Sequence, residues 1–397
     1  MKRAPVQTTA LKTIVAEECS CSEDGLTLNI VLSSPYALYQ EGMKFAIYSK
    51  DYMESCGGGE NIDWYDPAAV VGSGPYSVAE YEPDGYIVFA KRDDYWGKNY
   101  GYDDPYDTLK VVKYMDQTTM CVDMENGAID AALDLSVQDY DRLVGITDDK
   151  IEIGRLSGNN VIMLCFDSNN NETLKDPAVR EAICHSIDSA ALAKAIRGSY
   201  GKAASALLSV NELGYSKDYD YSYDPERARQ ILADAGYADG DIHLKIVLPI
   251  DELMSSTGEA LQGYLADIGI DLELDVVEIA TFIRLMRTPG GTDLKIDNKN
   301  GGNFLCDPST HLDNWADPMD PVQYRDYCER VIFEAVQTYD RDVRVEKYGE
   351  LQDLWYEHFD AVPLFETDQS FAYNTDVFKD FNINSTQDLR LLDVVVK

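Results

Sequence analysis

The stretch from Asp224 to Val277 constrains the fold more than any other part of this chain. Asp224-Pro225 reads as a helix start. The Asp side chain can accept from a free amide of the first turn, and proline fits the first helical position because its missing N–H has no partner there. Ala228, Ile231, Leu232 and Ala235 then recur at helical spacing, and Gly236 supplies the stop. A strand is predicted over 242–248. Ser256 and Glu259 follow at the spacing of a capping box, ahead of a helix whose apolar stripe is Leu261, Leu265 and Ile268. Gly269 ends that helix, and a second strand is predicted over 270–277. Strand, helix and strand in succession predict an α/β layer.

The same punctuation recurs upstream. Asp176-Pro177 starts a helix carrying Val179, Ala182, Ile183 and Ile187, and Asp188 caps a second helix that ends at Lys194, Arg197 and Gly198. A crossing strand is predicted over Asn160 to Phe166. Nearer the N-terminus the signals are those of strands. Residues 26–32 alternate, and Tyr76 onward and Tyr86 to Ala90 form a meander about the turn Pro83-Asp84-Gly85, with Val111-Val112 as a further strand core. Thr118 to Asn126 is predicted as a helix closed by Gly127. Residues 286–303, rich in Gly, Asn, Lys and Asp, read as a long surface loop. Asp340 opens a last helix to about His358, and Val362 to Phe365 reads as a return strand.

The 397 residues predict two or three domains at about 150 residues each. A formal net charge of −37 repels a phosphate backbone, so nucleic acid is excluded as a partner, and the acidic surface serves solubility. No apolar run reaches the ~18 residues a membrane helix needs. Met1-Lys2-Arg3 resembles the charged start of a signal peptide, but no apolar stretch follows. Of the eight cysteines, Cys19 and Cys21 lie close together, Cys165 and Cys184 sit in apolar patterns, and Cys19 follows Glu17-Glu18, which does not suit lipid attachment.

Enzymatic motifs fail on inspection. The four histidines show no metal-ligand spacing, and no metal or other cofactor is expected. Gly72-Ser73-Gly74 starts like a dinucleotide turn, but Pro75 removes a donor and no helix follows. Asp167 to Asn171 imitates a calcium loop, with Glu172 where the sharp-turn Gly belongs and Ala178 where the last carboxylate belongs. There is no phosphate-binding loop and no nucleophile elbow.

A series of spaced anchors carries a family resemblance: Gly72-Ser73-Gly74-Pro75-Tyr76, Arg92 with Tyr95-Trp96, Gly127-Ala128-Ile129-Asp130, Asp176 to Arg180, Ala182-Ile183, Ile187-Asp188, Trp315-Ala316-Asp317 and Asp320-Pro321. In order and spacing they resemble the family 5 extracellular solute-binding proteins, which deliver peptides, nickel chelates and similar solutes to ABC importers. The resemblance runs from about Leu26 to the C-terminus. It implies a two-lobe α/β periplasmic-binding-protein-like fold with mixed sheets flanked by helices: residues 1–161 as a portion of lobe I, 162–368 as lobe II, and 369–397 returning to lobe I. The Gly-Ser-Gly-Pro-Tyr turn comes early for the family, so the resemblance also implies that the opening lobe-I strands, an accessory subdomain and the export signal are missing.

By resemblance, Asp317 sits where peptide-binding members pair with the ligand's α-amino group, Trp315 can wall a pocket, and Asn314 adjoins them. Asp134, Leu133 and Asn160 match by position alone, and for Leu133 a place in a strand core is the favoured reading. The implied role is that of an extracytoplasmic carrier, periplasmic or lipid-anchored, that closes its lobes on an oligopeptide or dipeptide-like ligand. It would be a monomer, need no bound cofactor and pass its ligand to a permease and ATPase. Two alternatives stay open on the same residues: a ligand-sensing regulatory module of this fold, and a truncated fragment that does not bind. A peptidase is a third, with no motif behind it.

Overall fold

The structure is a computed structural model. It describes residues 14–37, 49–63, 66, 69, 71–101, 106–146, 150–168, 170–198, 201–216, 219, 221–286, 288, 290–300, 322–381 and 395–396. The chain divides into two compact units. The smaller comprises Lys44–Leu156 and Gln369–Lys397, the larger Met1–Met43 and Ser157–Asp368. The N-terminal segment is thus grouped with the larger unit, whereas the sequence places it in a lobe of residues 1–161.

Near the N-terminus, β1 (Ser20–Cys21) and β2 (Leu28–Asn29) form a short antiparallel pair. The strand expected over 26–32 shrinks to Leu28–Asn29, and before it the Leu26 N–H donates to the Asp24 carboxylate and the Thr27 N–H to Ser22 Oγ. Leu26 and Leu28 are left exposed.

In the smaller unit, α1 (Lys50–Ser55) precedes an antiparallel sheet of β3 (Tyr76–Glu82), β4 (Tyr86–Lys91) and β5 (Thr108–Val112). Asp84 turns the β3–β4 hairpin at φ +59°, a left-handed conformation that Asp tolerates. Asp116 caps α2 (Gln117–Glu125), and Ser136 caps α3 (Val137–Val144). Between them, Gly127 at φ +68° releases the chain into β6 (Ala131–Leu133). Cys121, Met124, Ala132, Leu135, Leu143 and Ala372 close this small core.

β7 (Ile151–Phe166) carries the chain from the smaller unit into the larger one. There the larger unit builds on β8 (Lys202–Ala203), β9 (Ile242–Pro249), β10 (Ile270–Val277), β11 (Leu294–Asn300) and β12 (Ala361–Asn374), with strand order β10-β9-β11-β7-β12 and β8 also on β12. β9 and β10 are parallel, and β11 runs antiparallel to β7. β13 (Phe378–Asp380) and β14 (Val395–Val396) pair with each other beyond β12.

Helices sit on both faces of the larger unit's sheet. α4 (Pro177–Ser186), α5 (Ser189–Arg197), α6 (Pro225–Asp234) and α7 (Glu252–Asp267) share a core with Ile162, Leu164 and Phe166 of β7. α8 (Ile279–Met286) follows β10. α9 (Val322–Val336) and α10 (Arg341–Glu357) pack on the other side with Val161 and Met163. Alternate residues of one strand thus enter opposite cores, which explains why Val161–Phe166 reads as an unbroken apolar run. The capped starts occur as expected: Asp176, Asp188, Asp224 and Asp340 each accept from an amide of the first turn.

Two expectations are corrected. α7 begins at Glu252 with Asp251 as its cap, a full turn before the Ser256–Glu259 capping box. Asp251 lies two residues past the end of β9 and takes the capping role first. Residues 286–303 are also more than a loop. Leu294 and Ile296 of β11 are buried between β9 and β7, and this two-residue alternation is masked in the sequence by the charged and polar residues around it.

Candidate ligand-binding site

Of the residues singled out in the sequence, Leu133 and Asp134 belong to the smaller unit. Leu133 pairs with Phe371 across β6 and β12 and packs, partly buried, against the aromatic cluster of Tyr373, Phe378 and Phe381. Asp134 leaves β6 at φ +64°. Its N–H donates to the Ser370 carbonyl at 2.8 Å, and its own carbonyl accepts from Gln117 Nε2 at 2.9 Å. The backbone is pinned at both groups while the carboxylate stays exposed, so the side chain is presented rather than consumed.

Asn160 lies in the larger unit on β7, opposite Asn300 at the end of β11. It is 6 % exposed, and its amide oxygen has no hydrogen-bond partner among the described residues. A buried acceptor left unmet costs about 1–3 kcal/mol, so Asn160 is a place where a donor from outside would be stabilised. After Asn300 the chain enters the segment that carries Asn314, Trp315 and Asp317; these three lie outside the described residues.

The sequence marks only the apolar start of β12, Val362 to Phe365, and misses its polar continuation. Its first half is apolar, but Glu366, Thr367 and Ser370 are buried polar residues in mid-strand. Lys202 pairs with Glu366 at 2.6 Å, Arg197 donates to the Asp368 carbonyl at 3.2 Å, and Ser370 Oγ donates to the Leu135 carbonyl at 3.0 Å. Gln369 Oε1, also buried, has no partner among the described residues. The one signal available was the polar run Glu366-Thr-Asp-Gln-Ser370 directly after the strand predicted at Val362 to Phe365.

Other chemistry is accounted for structurally. The Gly72–Tyr76 turn is stapled by the Arg92 guanidinium on the Gly72 carbonyl and by Trp96 Nε1 on the Ser73 carbonyl at 3.0 Å. Asp167 closes its own loop, accepting from Asn170 and from the Gly290 N–H. His185 Nδ1 is 2.8 Å from the Ser222 carbonyl. Among the described residues, no group of three or more His, Cys, Asp or Glu could hold a metal ion. Burial pushes the Cys121 thiol up to about 11 and the Cys184 thiol well above its usual value, so neither is a thiolate nucleophile at neutral pH. No helix among the described residues is long and apolar enough to cross a membrane.

Residues 21–322 match the family of bacterial extracellular solute-binding proteins, family 5, middle region. The chain belongs to this family. It is 30% identical over 225 residues to the heme-binding protein A of Haemophilus influenzae, covering 55% of this chain and 39% of that protein. It is 26% identical over 360 residues to the dipeptide-binding protein of Escherichia coli, covering 85% of this chain and 64% of that protein. The chain thus matches less than two thirds of the length of each of these relatives. Among solved structures, NikA from Brucella suis in complex with Fe(III)-EDTA superposes with a TM-score of 0.84 at 20% identity, over 98% of this chain and 80% of that one. DppA from Helicobacter pylori with the peptide STSA gives 0.77 at 20% identity, over 98% and 75%. The chain therefore shares the α/β fold of the two-lobe periplasmic binding proteins.

Proposed function

We propose that this chain is the solute-binding component of an ABC importer, acts outside the cytoplasm, and takes an oligopeptide or dipeptide-like ligand that it passes to a permease and ATPase. The observation that carries the ligand class is the buried, unmatched amide oxygen of Asn160 on the strand paired with β11, which leads into the Asn314–Asp317 segment. A peptide supplies N–H donors for such an acceptor and an ammonium group for the Asp317 carboxylate. Trp315 and Asn314 would wall the same site. The dipeptide-binding relative and the peptide-bound structural neighbour support this reading.

Calorimetry with di- to pentapeptides and their N-acetylated forms tests it. Free amino termini are expected to bind and acetylated ones to fail. Asp317→Ala is expected to lose about 2–5 kcal/mol, roughly 30- to 4000-fold in affinity, with an unchanged circular dichroism spectrum. Equal affinity in that variant removes Asp317 from the site. Equal binding of acetylated peptides removes the ammonium contact, and heat from no peptide at all overturns the ligand class.

A further inference from the structure

Asp360 occupies a turn that fixes its direction. α10 ends at Glu357, and Phe359 takes φ +54°, a left-handed conformation rare for an aromatic residue. The Phe359 N–H donates to the Tyr356 carbonyl at 3.3 Å, and the Asp360 N–H to the Trp355 carbonyl at 3.0 Å. The next residue, Ala361, begins β12, the strand that runs on from the larger unit into the smaller one.

The Asp360 side chain is 5 % exposed, and so is that of its partner Arg180 on α4, with Nη2 and Oδ1 3.8 Å apart. That separation allows charge attraction but no hydrogen bond. The donors of Arg180 go to main-chain carbonyls instead: Nε and Nη2 to His358 at 3.2 and 2.9 Å, and Nη1 to Leu174 at 2.7 Å and Lys175 at 3.3 Å. Neither Asp360 oxygen has a hydrogen-bond partner among the described residues. Cys184 of α4 and Tyr221, from the segment before α6, feel the Asp360 charge; Glu181 acts in turn on Cys184, Tyr356 on Tyr221, and Arg180 on His358. Arg180 is the cation acting on Asp360; His358 is held below its usual value, chiefly by burial.

We propose that the Asp360–Arg180 pair is a pH-sensitive latch at the foot of β12, worked by proton uptake at the Asp360 carboxylate. An ionised carboxylate buried without hydrogen bonds costs far more than the neutral carboxyl in the same place. Burial accordingly raises Asp360 from 3.8 to about 7, against the opposing pull of Arg180. The folded value lies above the unfolded one. The stabilisation is therefore complete below about 4 and is lost as pH rises through about 7. Raising the pH toward neutrality loosens the turn from which β12 departs.

Urea unfolding of the full chain between pH 5 and 8.5, for the wild type and Asp360→Asn, tests the latch. Asn mimics the neutral carboxyl. The wild-type ratio of folded to unfolded chain should fall by about tenfold per pH unit between roughly pH 5 and 7 relative to the variant. Parallel pH profiles overturn the proposal. Should Asp360→Asn not fold, hydrogen exchange on the wild type decides. Protection of the Ala361–Leu364 amides, corrected for intrinsic rates, is expected to drop as pH rises from about 5 to 7 and to level off above; protection that stays constant overturns the latch.

Discussion

Two strands of nearly equal apolar content meet different fates. Val161–Phe166 of β7 and Tyr86–Ala90 of β4 both read as unbroken apolar runs. In β7 every residue of that run except half-buried Cys165 is buried, under α4 to α7 on one face and α9 and α10 on the other. β4 is half-buried at every position, and no residue of β3 or β5 is buried either. An apolar run identifies a strand; helices far away in sequence decide how fully it is covered. Stability should follow cover, with the β7 layer at the high end and the β3–β5 sheet held mainly by its ladder and cross-strand pairs.

The largest test of that contrast is Leu164→Ala. Leu164 is fully buried opposite Ile296, and the variant should lose about 2–5 kcal/mol in urea unfolding. A loss below 1 kcal/mol would remove the β7 layer as the centre of stability. Gly154→Ala comes next. This glycine of β7 lets the Phe371 ring of β12 lie against the backbone, and a β-carbon there would overlap the ring. The expected cost is about 1–3 kcal/mol, partly recovered by trimming the ring in Gly154→Ala/Phe371→Leu. Val111→Ala on β5 should stay within about 0.5 kcal/mol, since its side chain is half exposed. A loss as large as that at Leu164 would mean that the β3–β5 sheet is covered after all.

The elements legible in the sequence are those specified locally. Asp176-Pro177, Asp188, Asp224-Pro225 and Asp340 announce helix starts because a cap and its amide lie within three residues of each other. β11 stayed hidden because Leu294 and Ile296 owe their burial to β9 and β7. The polar run of β12 stayed hidden because Lys202, Arg197 and the Leu135 carbonyl reach it from distant parts of the chain. The candidate site divides in the same way. Asn160 was marked by position alone, and what distinguishes it, a buried acceptor with no donor, is a property of packing. Asn314, Trp315 and Asp317 lie outside the described residues, so their part in the site rests on the sequence.

Native mass spectrometry of the purified chain, repeated after denaturation, tests the carrier role most directly. The account predicts adducts in the peptide mass range, or their appearance on adding a peptide mixture, and their loss on denaturation. A chain that keeps its bare mass in the presence of that mixture would contradict it.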